Sequence, residues 1–308
     1  MAFSTSENKE LERRILKNKV RRFFSNRSSR QSRSKTGNII MFLFLAVFGA
    51  FSLLPLVLMI SNSLKPINEL YMYPQKFLPV SPTFASFRTL FNLMSDTWIP
   101  FTRYLSNTVF ITGTVVVSRI LVCSIAAYPL AKLKFKGKKL INTVVMFSLM
   151  FTATINDIAN YLIVDALGWV DTYLAVIVPL AGSPLALFII RNYTSAAVHD
   201  SLIEASRLDG CNEIQIYFKI VMPLIRPAWL TVAILSIQSV WGATHTVYLY
   251  SEELKTLPYA LSQITSGNML KQGAAQAGAV LMIIIPAVFF IVSQARVINA
   301  MGTSGIKE

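Results

Sequence analysis

Long uninterrupted runs of apolar residues dominate this chain, with few alternating or amphipathic stretches. The run from Ile39 to Ile60 contains no charged residue, and only Gly49, Ser52 and Pro55 interrupt it. A helix needs about 20 apolar residues to cross the hydrocarbon of a bilayer. A secretory signal has a shorter apolar stretch of roughly 7–15 residues that ends in a cleavage site. The run therefore predicts a retained membrane-spanning helix.

Five further apolar runs follow, so the pattern predicts an all-α, polytopic membrane protein with six transmembrane helices. These runs are Tyr104–Leu130, Leu140–Val164, Tyr173–Tyr193, Ala228–Tyr248 and Gln276–Val297. The predicted organisation comprises a basic cytoplasmic arm (1–38), the first transmembrane helix (39–64), an extracytoplasmic loop (65–103), a transmembrane core (104–298) that includes a cytoplasmic loop (194–226), and a cytoplasmic tail (299–308).

Positive charge is distributed unevenly between the connecting segments. The chain has 29 Lys and Arg against 15 Asp and Glu, a formal charge of +14. The excess lies in the arm, in the loop 132–139 and in the segment 191–226, whereas the segment holding Asp157, Asp165 and Asp171 has no Lys or Arg. Because cytoplasmic loops retain positive charge, both termini are expected in the cytoplasm. Since the basic segments adjoin spans, anionic lipid explains them better than nucleic acid does.

The sequence offers no pattern for catalysis on this chain. Two cysteines, Cys123 and Cys211, and two histidines, His199 and His245, lie far apart without the spacing of a metal site. No Gly-x-x-x-x-Gly-Lys-Ser/Thr motif occurs, so the chain has no P-loop to hold ATP phosphates. The expectation is a protein that is not an enzyme and binds neither a metal nor a cofactor.

The predicted cytoplasmic loop between the fourth and fifth runs favours two short helices. Ser201 and Glu204 have the spacing of a capping box that would open the first helix. Gly210 would close that helix in a left-handed conformation. Asn212 and Gln215 would cap the second helix in the same way. The result is a helix–turn–helix on the inner face.

The same loop resembles the EAA motif of ABC importer permeases. The residues that carry the resemblance are Glu204-Ala205-Ser206, Asp209-Gly210 and Ile220-Val-Met-Pro223, and Pro223 is expected to end the second helix. The resemblance implies a coupling element that docks on a separate ATPase subunit, where ATP and Mg are expected. It assigns this role to Ser201, Glu204, Ala205, Ser206, Asp209, Gly210 and Pro223. For Glu204, capping its own helix and contacting the ATPase remain alternatives.

Other stretches resemble the carbohydrate-uptake branch of that family, particularly the smaller permease of maltose-type importers. They include 81–87, 126–137, 167–174 and 294–305. The resemblance implies import of a sugar or oligosaccharide across a bacterial or archaeal cytoplasmic membrane. The implied partners are a second permease subunit in a heterodimer, an ATPase dimer and an extracellular substrate-binding protein. An ABC permease for a non-sugar solute is the alternative. An ion-coupled secondary transporter is less favoured because acidic residues lie almost wholly in connecting segments.

Polar side chains inside the runs are candidates for a substrate pathway, because polar groups in hydrocarbon need a cavity or a partner. The candidates are Asn156, Asp157, Asn160 and Tyr161 in the third run and Gln238, Trp241, His245 and Tyr248 in the fifth. Aromatic rings beside amides and carboxylates are typical of sugar sites. The alternative is that these side chains join helices or form the interfacial aromatic belt. For Arg119, the basic residue inside the second run, the alternatives are that it extends to the membrane surface or pairs across the interface with a second permease, and it is assigned no transport role.

Overall fold

A computed structural model describes residues 35–95, 99–151, 153–265 and 271–304, except for the side chains of 35, 153–156, 265 and 294–304. The regular secondary structure of this described part is helical, with no β-strand in it, which confirms the predicted all-α class. Most of the predicted arm and the last four residues of the predicted tail lie outside it.

The helices are named here in chain order. They are α1 (Lys35–Ser63), α2 (Ile67–Leu70), α3 (Ala85–Ser95), α4 (Phe101–Lys132), α5 (Lys138–Ser148), α6 (Ala153–Ala166), α7 (Tyr173–Ala181), α8 (Pro184–Ala197), α9 (Asp200–Leu208), α10 (Glu213–Ile216), α11 (Met222–Leu224), α12 (Arg226–Trp241), α13 (Leu257–Thr265) and α14 (Gln272–Ser304). A π-helical turn (Tyr217–Val221) joins α10 to α11, and a 3₁₀ turn (Glu252–Leu254) precedes α13.

Four helical segments of the described chain are long and apolar enough to cross a membrane. They are 36–63, 101–132, 173–197 and 272–293. A fifth arises if the bent pair 213–224 and 226–241, which meet at 73°, counts as one span. The described helices therefore support a multi-span membrane protein.

The third apolar run is not the single helix that was predicted for 140–164. It forms α5 and α6, separated near Phe151. The Ser148 hydroxyl donates to the Val145 carbonyl at 2.7 Å, and that carbonyl is the usual acceptor for the Leu149 N–H. The Leu149 N–H bonds instead to Met146, one residue closer. The third apolar run is therefore divided between two helices.

Two prolines produce the bend between α10 and α12. A proline cannot donate an N–H to the carbonyl four residues earlier, and its ring clashes with that carbonyl. Pro223 therefore disturbs the turn at Lys219, which lies in the π-helical stretch, and Pro227 leaves the carbonyl of Pro223 without its helical donor. The prediction that Pro223 ends its helix is wrong. The helical break falls two residues later, at Ile225, after α11.

The fifth run is also shorter as a helix than predicted. α12 ends at Trp241, and the chain from Gly242 to Tyr250 has no helix. His245 has a left-handed backbone with φ of 53°. His245 and Tyr248 therefore lie beyond the helix and not along it, as the prediction had placed them.

Contacts divide the chain into two units, Met1–Leu56 and Val57–Glu308. The described part of the first is the amino-terminal portion of α1, an apolar helix. In it the rings of Phe44 and Phe48 are tilted to each other, with their centroids 4.4 Å apart. In the second unit α4 is the central helix, which packs against α7, α8 and α12, while α14 packs against α3, α12 and α13. The central helix α4 therefore contributes to two regions of interest, the α9–α10 helix pair and a cavity within the second unit.

Candidate functional site

The turn after α9 has a complete Schellman motif. The Cys211 N–H donates to the Ser206 carbonyl at 3.0 Å, and the Gly210 N–H donates to the Arg207 carbonyl at 3.0 Å. Gly210 has φ of +84°, a conformation that costs glycine little and a residue with a Cβ more. The predicted left-handed closure at Gly210 is confirmed.

The two helix starts in this loop differ from each other. In α10 the predicted capping box is present: the Gln215 N–H donates to Asn212 Oδ1 at 2.8 Å, and the Asn212 N–H donates to Gln215 Oε1 at 3.0 Å. In α9 the predicted box is wrong, because the helix begins at Asp200 after an extended His199, with no side-chain cap. The N-cap position is therefore His199, two residues before Ser201.

Two polar links fasten α9 and α10 to the end of α4. Arg207 Nη2 lies 2.8 Å from Glu213 Oε1, and Glu213 Oε2 accepts a hydrogen bond from the Tyr128 hydroxyl at 2.6 Å. Lys132 Nζ lies 2.8 Å from Asp200 Oδ1. The hydrogen bond and charge of Lys132 lower the pKa of the Asp200 carboxyl below its ordinary value. The first residue of each helix, Asp200 in α9 and Glu213 in α10, is therefore linked to the end of α4.

The outer surface of the pair exposes the residues at its tip. Leu208 is 89% exposed, an unusual environment for a leucine, and it adjoins the Schellman turn. Ile203 and Ser206 face inward, and the Ser206 hydroxyl donates to the Leu202 carbonyl at 2.6 Å. The residues with predicted coupling roles that lie exposed on α9 or its turn are Ser201, Glu204, Ala205, Asp209 and Gly210. Of the other two, Ser206 is buried, and Pro223 is exposed in the short α11.

A second candidate site is a cavity of about 820 Å³ inside the second unit. Its walls come from α4, α6, α7, α8 and α12 and from the irregular segment after Trp241. Of the predicted pathway residues, Asp157, Asn160, His245 and Tyr248 line it. Within the described part of the chain, no group of three or more His, Cys, Asp or Glu is placed to hold a metal ion.

Three predicted pathway residues lie elsewhere. Trp241 is 5% exposed, and its Nε1 donates to the Met282 carbonyl at 2.8 Å, so it joins α12 to α14. Tyr161 places its hydroxyl 3.3 Å from that of Tyr250. Gln238 is exposed on α12 and is absent from the cavity wall. The side chain of the remaining candidate, Asn156, lies outside the described residues.

Arg119, to which the sequence assigned no transport role, also lines the cavity. It is 8% exposed, and its Nε donates to the Leu180 carbonyl at 2.8 Å. That carbonyl lacks a helical donor because the residue four positions later is Pro184. Nη1 donates to the hydroxyl of Ser236 at 3.1 Å. The sequence signal was available, since a cation within one span and a proline-broken neighbouring span are both visible in it.

Asp171 anchors the irregular segment that lines the cavity. Its Oδ1 accepts the N–H groups of Tyr250 at 2.9 Å and Ser251 at 2.8 Å, and Oδ2 accepts the Ser251 hydroxyl. Its own N–H donates to the Tyr248 carbonyl at 2.9 Å. These bonds, with the Ser251 hydroxyl foremost, lower the pKa of the Asp171 carboxyl below its ordinary value.

Comparison with known proteins agrees with this architecture. Residues 24–301 match the family described as "Binding-protein-dependent transport system inner membrane component". Protein LplC of Bacillus subtilis is 31% identical over 225 residues, which cover 72% of this chain and 74% of that protein. The arabinooligosaccharides transport system permease protein AraQ of Halalkalibacterium halodurans is 31% identical over 272 residues, 87% of this chain and 95% of that protein.

A solved structure has a similar fold. It is a chain from a bacterial ABC transporter involved in the import of the acidic polysaccharide alginate, with a TM-score of 0.71 and 24% identity. The similarity covers 85% of this chain and 98% of that chain. With the family match over nearly the whole length and several apolar helices, the chain belongs to the inner membrane components of binding-protein-dependent transport systems.

Proposed function

We propose that this chain is a transmembrane permease subunit of an ABC importer that moves a sugar or oligosaccharide into the cell. The proposal rests chiefly on the family match over residues 24–301. The sugar class is supported by AraQ, whose name refers to arabinooligosaccharides. The alginate importer, another carbohydrate system, supports it through its fold and title.

The α9–α10 pair is proposed to couple transport to a separate ATPase subunit that binds ATP and Mg. Its tip exposes the apolar side chain of Leu208, which could form an apolar contact with the ATPase. The exposed carboxylate of Glu204 could form a charged one. Glu204 makes no capping bond to Ser201. Of its two predicted roles, capping its own helix and contacting the ATPase, the proposal therefore assigns it the second. A push on this tip would reach α4 through the Arg207–Glu213–Tyr128 link.

The proposed assembly contains a second, different permease, two ATPase subunits and an extracellular substrate-binding protein. In this proposal the chain crosses the membrane six times, α5 and α6 together supply one crossing, and both termini are cytoplasmic. The predicted boundaries of arm, outer loop, core and tail are retained in it. The cavity beside Asp157, Asn160, His245 and Tyr248 would form part of the sugar pathway.

The decisive experiment is the ATPase activity of the reconstituted complete transporter with its substrate-binding protein. We expect activity to rise severalfold with one member of an oligosaccharide panel and to stay at the basal level with amino acids and short peptides. Stimulation by an amino acid or a peptide instead would replace the sugar assignment with the alternative, an ABC permease for a non-sugar solute.

A further inference from the structure

Arg119 brings a positive charge into the wall of the cavity. Only 8% of the surface of Arg119 is exposed. The residue lies on α4, within a span of mean hydropathy 2.1. An ionised group removed from water needs an opposite charge or a full set of hydrogen bonds. What Arg119 contacts therefore indicates what else the cavity is built to receive.

Two of the three guanidinium nitrogens are occupied by neutral acceptors. Nε bonds to the Leu180 carbonyl at 2.8 Å, and Nη1 bonds to the Ser236 and Ser239 hydroxyls at 3.1 and 3.4 Å. These bonds orient the guanidinium and satisfy the carbonyl that Pro184 leaves free. Neutral acceptors hold the group in place but do not balance its charge.

No carboxylate balances the charge within the described part of the chain. The ion pairs there join Lys132 with Asp200, Arg207 with Glu213 and Lys255 with Glu252. Asp157 is the carboxylate in the cavity wall, and it forms no ion pair with Arg119. Nη2 donates to no described protein acceptor. It is also not among the fully buried polar atoms that lack a partner, and Arg119 lines the cavity, so Nη2 is open to the cavity.

We propose that Arg119 is a specificity-determining residue that binds an anionic group on the transported saccharide, so that the substrate class is acidic sugars. A guanidinium is suited to an oxyanion because its planar N–H groups bind carboxylate and phosphate oxygens with fixed geometry. The inference rests on the proposed function, since it names the kind of sugar for the same pathway. Carboxylate and phosphate share this chemistry, and the test separates them.

The test measures uptake into proteoliposomes that hold the complete transporter and its binding protein. Two matched pairs of probes are used: digalacturonate with its dimethyl ester, and trehalose 6-phosphate with trehalose. We expect the wild type to favour the anionic member of one pair about tenfold or more, as a charge-assisted hydrogen bond implies. The pair that shows the preference identifies the anion.

Arg119→Gln should abolish this preference while uptake of the neutral probe persists. Arg119→Lys should keep part of it, because the charge remains and the fork is lost. Arg103→Gln is the matched control, since Arg103 lies on the same helix, is exposed and is absent from the cavity wall. It should leave the ratio unchanged.

Each contrary result has a separate meaning. A wild type that transports neutral probes as well as anionic ones overturns the inference and leaves the sugar permease intact. A loss of both probes to the same degree in Arg119→Gln, with the complex assembled, also overturns it, because Arg119 would then serve structure alone. A complete transporter whose ATPase activity responds to no member of the oligosaccharide panel defeats the proposed function itself. If Arg119→Gln does not assemble, the wild-type ratio and Arg119→Lys decide.

Discussion

At the residue scale, single side chains determine how the irregular cavity wall is held. The segment after Trp241 has no helix to satisfy its backbone, so its N–H groups need other acceptors. Asp171 supplies two acceptor oxygens from the loop between α6 and α7. The backbone of Asp171 is left-handed, with φ of 62°. One aspartate therefore links the two parts of the chain that carry Asn160 and His245.

Replacing Asp171 with asparagine should lower the melting temperature of the detergent-solubilised protein by a few degrees at pH 6. The pKa of Asp171 is lowered in the folded state, so the ionised carboxyl contributes stability above its unfolded pKa of about 3.9. That contribution is lost as pH falls through the folded value. The difference between wild type and D171N should therefore shrink below about pH 4. Thermal melts between pH 6 and pH 3 measure it.

Asp165→Asn is the control for this experiment, because the Asp165 carboxylate accepts no hydrogen bond from the described residues. Its melting temperature at pH 6 should equal that of the wild type. A D171N protein as stable as the wild type at pH 6, or a difference that grows in acid, would contradict the anchoring role.

At the element scale, two kinds of helix ending distinguish the parts of this molecule. α9 ends in a Schellman turn that depends on one glycine, and α12 ends where a glycine follows Trp241 without a left-handed residue. The first ending is stiff because both of its carbonyl acceptors are bonded. A stiff, short helix can transmit displacement to the helix on which it is mounted.

Gly210→Pro should uncouple the transporter, so that ATPase activity no longer responds to substrate and binding protein. Proline requires φ near −65° and has no N–H, whereas Gly210 has φ of +84° and donates to Arg207. Substrate-stimulated ATPase activity and uptake, measured on assembled complexes, report the loss.

Gly168→Pro provides the matched comparison. Gly168 has φ of +66°, donates its N–H to the Asp165 carbonyl at 2.9 Å, and likewise has open space where a Cβ would lie. The substitution therefore imposes a similar backbone change in the loop before α7. Coupling that persists in Gly210→Pro, or fails equally in Gly168→Pro, would remove the special role of the α9–α10 turn.

At the scale of the whole molecule, the distribution of charge and the exposed tips make the orientation testable. Leu78 is 64% exposed in the segment between α2 and α3, and Leu208 is 89% exposed at the tip of α9. The proposed topology places these two residues on opposite sides of the membrane. Neither side chain supports the core, so a cysteine at either position should be tolerated.

In a background with Cys123 and Cys211 replaced by alanine, Leu78→Cys should react with a membrane-impermeant maleimide in intact cells. Leu208→Cys should react only after permeabilisation. Labelling of Leu208→Cys in intact cells at the rate of Leu78→Cys would reverse or abolish the proposed orientation.

The helical class and the membrane location could be read from the sequence because both depend on summed properties. Hydropathy adds residue transfer free energies over a window, and runs such as 39–60 exceed what any soluble helix requires. The Gly210 turn and the Asn212–Gln215 box were predictable for a similar reason, since they depend on a few neighbouring residues. Local physics acts over the same short distances that sequence reasoning covers.

Tertiary structure decided the features that depend on which group meets which. A hydropathy window did not predict that the run 140–164 divides into α5 and α6, that α12 ends at Trp241, or that α9 begins at Asp200. The partners of Arg119 come from residues 61 and 117 positions away. The composition of a window contains no information on such pairings. The sequence shows Arg119 inside a span, but only the packing of α4, α7 and α12 places it in the wall of a cavity.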